Sequence, residues 1–399
     1  MPDPLSSEAT NAAPQSVDAE MLLGFWYPAL RSEQLRGGKL TQAMLLGVPL
    51  VLGRNSARRP FALRDTCPHR GIPLSYGRLD SDGLLECCYH GWRFEPTSGQ
   101  CREIPSLTSD SKLKVERIFA GAFPCREQDG YFWVFLPEKK QAPSEERLSV
   151  GQSLSEGHEF TRAVEPGREE GALAPEVEPP QLPVFSDRYR RIHLWAEMPT
   201  TVDHGIIGLM DPAHGPFVHQ SWWWRSRHSI HEKQKAFEPI PNGFRMSPHT
   251  PSSNSAPYRL LRFYAQAEAI TTTIDFVLPN RRLEQIRAGR YWFSSQTTVT
   301  PITRGRCRID FCAAWNLFPW LPITPVLRAF GNRFIRQDQR TMEMQAEGLR
   351  YDPNLMLIDD ADRPAKWYFE LKRAWLDSRR TGQPLCHPMA GPVTLRWKS

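Results

Sequence analysis

From about Leu22 to Pro137, apolar residues come in short runs separated by turn formers. Met44–Leu52, Phe61–Arg64, Leu84–Tyr89 and Gly130–Leu136 are the clearest. Runs this short predict strands, and hence a small all-β domain over 22–137. From about 138 to 187 the pattern lapses. Glu, Pro, Ser and Gly dominate there, and a linker or surface excursion is expected. Over 188–399 two periods mix. Strands are read at Arg191–Ala196, Tyr258–Ala267, Ala269–Val277, Gly289–Val299 and Arg306–Trp315. Helices are read at Val202–Met210, Leu327–Tyr351 and Ala365–Arg379. Antiparallel strands backed by late helices make this half α+β. Residues 1–21 are polar and acidic without an apolar centre, so a disordered leader is expected and not a signal peptide.

Composition narrows the function classes. With 399 residues the chain can build two sizeable cores. The net charge of +6 is mild, and no basic run is interleaved with stacking aromatics, which argues against nucleic-acid binding. Eight cysteines show no disulfide-framework spacing, as expected in a reducing cytoplasm. The nearest approach to a membrane span is Phe311–Leu327, where Asn316, Pro319, Pro322 and Pro325 would break a helix. A buried strand running into a rigid apolar loop is expected, with a membrane-interfacial loop as the lesser alternative.

Two short pairs carry the first chemistry: Cys67-Pro68-His69 and Cys87-Cys88-Tyr89-His90. Each offers one thiolate and one imidazole, a set suited to a [2Fe–2S] centre with one iron on sulfur and the other on nitrogen. Gly71 and Gly91 follow the histidines, where tight turns would let two loops close over a cluster. A structural zinc site is the competing reading. Zinc fingers usually pair cysteine with cysteine and histidine with histidine, unlike the mixed pairs here.

A second constellation is Asp211-Pro212-Ala213-His214-Gly215-Pro216-Phe217-Val218-His219, a D-x2-H-x4-H spacing. Two imidazoles and one carboxylate form the facial triad of non-haem iron(II) oxygenases. On an ideal helix His214 and His219 would diverge by about 140°. The intervening Gly215-Pro216 is expected to re-aim one ring towards the other. Asp211 capping a helix that starts at Pro212 is the plainer alternative. The carboxylate ligand is expected at Asp338. On a helix it falls on the apolar stripe Ile335, Met342, Ala346 and Leu349, and an ionised group facing a core needs a partner or a metal. Glu343 is the runner-up, and pairing of Asp338 with Arg336 or Arg340 is the non-metal alternative. His204 is expected to be a hydrogen-bonded structural histidine. The Trp222-Trp223-Trp224-Arg225 run, with His228 and His231 beyond it, suits subunit packing, a substrate entrance or a lipid interface. His158 and His387 have no evident partners.

The flanks of the cysteine pairs, Cys67-Pro68-His69-Arg70-Gly71, Leu74-Ser75 and Tyr89-His90-Gly91-Trp92, resemble a Rieske domain. Together with D-x2-H-x4-H, residues 22–380 resemble the α subunit of Rieske non-haem iron oxygenases, in the monooxygenase and demethylase branch. The resemblance implies an N-terminal all-β Rieske [2Fe–2S] domain and a C-terminal helix-grip catalytic domain. It assigns the cluster to Cys67, His69, Cys87 and His90, with Cys88 left as a small buried residue. It assigns the mononuclear iron to His214 and His219, plus a late-helix carboxylate that often follows Glu or Gln. It makes Asp211 the bridge between His90 of one subunit and the iron of the next, and so implies a homotrimer. One departure is Ile207, where many members carry Asn, Asp or Glu. Met210-Asp211-Pro212 is similar to the pheophorbide oxygenase group. The chain lacks that group's anchoring tail and C-x-x-C ending, so chlorophyll breakdown is not implied.

The expected function is a terminal oxygenase fed by a partner ferredoxin or NAD(P)H-dependent reductase, since no flavin or dinucleotide fingerprint occurs here. It would use O2 to hydroxylate or demethylate a bulky hydrophobic substrate, aromatic or polycyclic and sterol-like ones included. The alternative is a non-catalytic Rieske electron carrier or a metal-binding interaction protein.

Overall fold

The computed structural model describes residues 22–35, 38–138, 177–220, 227–250, 256–266 and 270–399. The sequence expectations for the leader, for most of 138–187, for His158 and for Trp222–Arg225 lie outside these. The described chain forms two compact units, 23–180 and 181–399.

In the first unit β1 (Phe25–Arg31) precedes β2 (Thr41–Leu45), β3 (Val48–Arg54) and β4 (Pro60–Arg64). Four short strands follow: β5 (Arg78–Leu79), β6 (Leu85–Glu86), β7 (Arg93–Phe94) and β8 (Cys101–Glu103). The unit closes with β9 (Ala122–Phe123), β10 (Cys125–Gln128) and β11 (Tyr131–Leu136). These make three antiparallel sheets, β1-β11-β10, β2-β3-β4-β9 and β5-β6-β7-β8. The apolar run Met44–Leu52 is therefore two strands and not one. Leu46 and Gly47 both take positive φ, the conformation of a two-residue hairpin turn, and Leu45 pairs with Val48. The described end of the expected linker is hydrogen-bonded to β1 and β10. Trp26 Nε1 donates to Val177 O at 2.6 Å, and Gln128 Nε2 donates to Pro179 O and Pro180 O.

The second unit begins with β12 (Arg190–Met198), α1 (Val202–Met210) and the single turn α2 (Gly215–Val218). Next come β13 (Glu232–Ile240), β14 (Gly243–His249), α3 (Ala256–Ala265), β15 (Thr271–Val277) and β16 (Arg281–Ala288). β17 (Tyr291–Thr303), β18 (Arg306–Trp315), α4 (Thr324–Leu349), α5 (Arg363–Thr381) and β19 (Val393–Lys398) complete it. All eight strands form one antiparallel sheet, ordered β12-β18-β17-β16-β15-β14-β13-β19. The fold is α+β, with an all-β first unit.

The long helices pack on one face of that sheet. The ladder row Leu194, Phe311, Thr297, Arg282, Phe276 and Phe244 shares this face, because directly opposed residues point the same way. Tyr368 of α5 meets Phe276 edge-on at 5.7 Å, and Trp367 packs against Phe237 and Phe244. Two glycines permit the closest approaches. A Cβ on Gly331 of α4 would sit 2.2 Å from Leu194 Cδ1, and one on Gly205 of α1 would sit 2.7 Å from Val299. α1 and α5 are also joined by a buried polar knot. Lys372 Nζ donates to both Asp203 oxygens, at 2.8 and 2.7 Å, and Tyr368 Oη donates to Asp203 Oδ1.

Two expectations need correction here. Residues 258–267, read as a strand, lie largely in helix α3. Leu261 and Ala265, one helical turn apart, pack on Ile270, Ile286 and Ala288, so the helical period wins over alternation. His387 is not without partners, since its Nε2 lies 2.8 Å from Gly243 O.

Candidate metal centres

In the first unit the two cysteine loops are built alike. Cys67 N–H donates to Ile72 O and Gly71 N–H to Cys67 O; Cys87 N–H donates to Trp92 O and Gly91 N–H to Cys87 O. Gly71 and Gly91 close these turns at φ +74° and +69°, which strongly favours glycine. Asp65 pins the base of the first loop. It is buried and accepts from Ser75 N, Ser75 Oγ and Gln42 Nε2 at 2.6, 2.7 and 2.9 Å.

Cys67 and Cys87 are buried, whereas His69 is exposed and His90 half-buried. The two imidazoles lie 4.5 Å apart, centroid to centroid, and His69 stacks on Trp92 at 4.6 Å. Burial pushes the Cys67 thiol up to about 12, so its thiolate needs a cation at hand. Partial desolvation by the neighbouring rings, together with the charges of His90 and Arg70, lowers the pKa of the exposed His69, which favours the neutral ring that a metal requires. The residues present therefore fit a cluster with sulfur ligands inside and nitrogen ligands outside. Cys88 is exposed, contrary to expectation. It occupies the loop place of Pro68, also exposed, where the side chain points outward from the tight turn.

In the second unit, α2 explains the D-x2-H-x4-H spacing. His214 and His219 stand immediately before and after this one turn, with Pro216 inside it, and their rings are 5.2 Å apart. The break expected at Gly215-Pro216 is thus the start of a short turn. Asp211 ends α1, and its Oδ1 accepts from Ala213 N at 2.7 Å, so it does not cap a helix at Pro212. Ile207 contributes its carbonyl to the last turn of α1, accepting from Asp211 N–H at 3.0 Å.

His214 Nδ1–H donates to Asp211 O at 2.8 Å, and His219 Nδ1–H donates to Gln337 Oε1 at 3.1 Å. Each bond leaves an Nε2 lone pair for a metal. Asp338 arrives from α4 on the stripe that carries buried Ile335, placing Oδ1 3.0 Å from His219 Nε2. That buried Nε2 makes no hydrogen bond, although the carboxylate is so near. Two lone pairs facing each other at this range call for a cation between them. Among the described residues, His214, His219 and Asp338 are the set whose donor atoms all lie within 4.8 Å of one another. Glu343 is exposed, and Asp338 faces His219 instead of Arg336 or Arg340.

Three contributors escaped the sequence reading. Phe334 stacks on His219 at 3.6 Å, and Gln337 orients the same ring. Both precede Asp338 within one turn of α4, so helical spacing was the available signal. Asp65, two residues before Cys67, is the third. His204 is the structural histidine expected: its Nδ1 lies 2.9 Å from Thr201 Oγ1 at the start of α1.

Burial alone would lower the His214 pKa, but the Asp211 and Asp338 carboxylates outweigh it and leave it raised. Proton and metal compete for the same nitrogen. Iron(II) affinity is therefore expected to weaken as pH falls, beginning above the ordinary histidine value of 6.5. Iron(II) titration of the metal-free mononuclear site across about pH 5.5 to 8 checks this. Constant affinity down to about pH 6 would contradict it.

Comparisons with known proteins find a family match in each unit. The Rieske [2Fe-2S] domain family matches residues 25–118, and the vanillate O-demethylase oxygenase C-terminal domain family matches 208–380. The chain is 26% identical to chlorophyllide a oxygenase, chloroplastic, of Chlamydomonas reinhardtii over 77% of its length and 40% of that protein. It is 35% identical to the 3-chlorobenzoate-3,4-dioxygenase oxygenase subunit of Comamonas testosteroni over 32% of its length and 29% of that protein. The chain thus spans well under two thirds of these relatives. The crystal structure of dicamba monooxygenase bound to dicamba shares the fold, with a TM-score of 0.66 at 19% identity, covering 91% of this chain and 100% of that one. With its Rieske [2Fe–2S] domain and its oxygenase domain of the mononuclear-iron type, the chain belongs to the Rieske non-haem iron oxygenases.

Proposed function

We propose that this chain is a terminal oxygenase. It hydroxylates or oxidatively demethylates a bulky hydrophobic substrate, aromatic or polycyclic, with sterol-like compounds included. Electrons come from a ferredoxin or an NAD(P)H-dependent reductase. The observation that carries this reading is the convergence of His214, His219 and Asp338 on one point, in a chain that also holds a Rieske domain. An electron carrier would leave that triad without a task. The substrate class is supported by relatives named for chlorophyllide, chlorobenzoate and dicamba.

Iron held by the triad would supply dioxygen activation at its open positions. The chain's own residues set the stage. Gln337 and Phe334 hold the His219 ring so that only Nε2 faces the centre. Asp211 fixes His214 through its backbone carbonyl, and its Oδ2 lies 3.6 Å from the same Nδ1. His69 and His90 present their rings at the surface of the first unit. In a homotrimer, His90 of one subunit would hydrogen-bond the Asp211 carboxylate of the next, bridging the two centres. All eight cysteines are free, which suits the reducing cytoplasm proposed for it. No described helix is long and apolar enough to cross a membrane.

Asp211→Ala tests the bridge. The substitution keeps the carbonyl that receives His214 Nδ1–H, so both metal centres should stay loaded. Substrate-dependent oxygen uptake is expected to fall about 100-fold or more, the upper range for losing an outer-shell partner. Retention of full activity would refute the assignment. Screening oxygen uptake against aromatic, methoxyaromatic and sterol-like compounds tests the substrate class.

A further inference from the structure

One end of the eight-stranded sheet, where β12 begins and β16 turns into β17, is unusually rich in arginine. Arg188, Arg190, Arg287 and Arg290 are all exposed there. Three of these guanidiniums meet rings or a carbonyl, and among the described residues none of the four pairs with an acid. Arg287 lies over Phe185 at 3.7 Å, Arg290 lies over Tyr291 at 5.0 Å with Nη2 donating to Tyr291 Oη at 2.9 Å, and Arg190 Nε donates to Pro319 O. Stacking leaves the remaining N–H groups of Arg287 and Arg290 to grip an anion. Arg188, Arg287 and Arg290 border a cavity of about 580 Å³ whose wall includes Trp292 and Pro319.

Against this cationic ground stands an apolar loop between β18 and α4. Phe318, at φ +49°, packs edge-on against Tyr264 of α3 at 4.8 Å. Trp320, two residues on, is 73% exposed, and Leu321 beside it is exposed too. Phe263 on α3 is 75% exposed. Asn316 Nδ2 ties this loop to Arg290 O at 2.9 Å, so arginines and aromatics form one surface. Residues 316–337 contain no Asp or Glu but do contain Arg328, Arg333 and Arg336. Asp187 is the one acid in the segment that carries Arg188 and Arg190.

Charge selects the occupant. A second copy seated here about a two-fold axis would bring two arginine clusters of like charge into one interface, which opposes association. At a lipid surface the same pairing is favourable: tryptophan sits at headgroup depth, while arginine meets the phosphates. We propose that this face docks on an anionic bilayer, with the Trp320 loop and Phe263 entering among the headgroups and Arg287 and Arg290 receiving lipid phosphate. Such a contact is peripheral, and it is independent of the oxygenase reading.

The test is co-sedimentation of the full metal-loaded chain with phosphatidylglycerol–phosphatidylcholine vesicles and with pure phosphatidylcholine vesicles. Size-exclusion chromatography is run alongside. Preference for the anionic vesicles, lost at about 0.5 M salt, is expected. Replacing both Arg287 and Arg290 with Gln should cut partitioning about 25-fold, at roughly fivefold per charge. Trp320→Ala should cut it about tenfold with the oligomeric mass unchanged. Absence of binding to anionic vesicles, salt-insensitive binding, or variants that bind as tightly as the parent would each overturn the proposal. A change of oligomeric mass in Trp320→Ala with vesicle binding intact would assign the face to a second copy. Release from vesicles by millimolar inorganic phosphate at constant ionic strength would assign the cavity to a free anion. The salt and lipid dependence of the parent chain decides the matter even if a variant fails to fold.

Discussion

Asp338→Ala is expected to lower iron from about three to about two atoms per chain and to abolish turnover, while the visible spectrum of the cluster persists. Asp338 is the carboxylate that reaches the two histidines, with Oδ1 3.0 Å from His219 Nε2. Without it, two neutral imidazoles must hold a divalent ion alone, and iron(II) favours a carboxylate in its set. A drop of at least a thousandfold in substrate-dependent oxygen uptake, about 4 kcal/mol in barrier terms, is the expected size. Glu343→Ala is the control. That residue is exposed on another side of α4, about 140° round the helix from Asp338, and its loss should leave iron content unchanged. If Glu343→Ala lost the iron and Asp338→Ala kept it, the two assignments would be exchanged.

Asp203→Ala is expected to produce the largest loss of stability among the described residues. Asp203 and Lys372 are each about 1% exposed, so removing the carboxylate strands a buried ammonium and leaves the Tyr368 hydroxyl without its acceptor. Breaking a buried pair on one side costs about 3–5 kcal/mol. Replacing both partners, as in Asp203→Asn with Lys372→Met, should cost far less, because no charge is then left in the core. Denaturant midpoints of the two single variants and the double variant check this. A double-variant cost equal to the sum of the Asp203→Asn and Lys372→Met costs would show that the pair is not coupled. Since α1 carries Asp211 at its end, the lesion is also expected to loosen the iron site.

The site was legible in unequal parts. Cys67/His69, Cys87/His90 and His214/His219 each lie within a few residues on one local turn, so spacing along the chain nearly equals arrangement in space. The boundaries of α1 were readable for a similar reason: its period is local and Thr201 caps it, accepting from His204 N. Where two periods compete over a short apolar stretch, the pattern misleads. Residues 258–267 suit alternation and a helical face alike, and contact of Leu261 and Ala265 with Ile270 and Ile286 resolves the choice. Cys88 misled differently, because residue type suggests burial while the turn directs the side chain outward.

By itself, then, the sequence determined the chemistry of the ligands, the all-β then α+β order and the Rieske resemblance, since all of these reside in local spacing and residue type. The tertiary structure decided which late-helix acid meets the histidines, that Gln337 and Phe334 hold His219, that Asp203 and Lys372 meet in the core, and that arginines and aromatics from distant segments share one sheet end. These depend on elements far apart in the chain reaching a common place. Packing of α1, α4 and α5 on one sheet brings them there, and no spacing along the chain records that geometry.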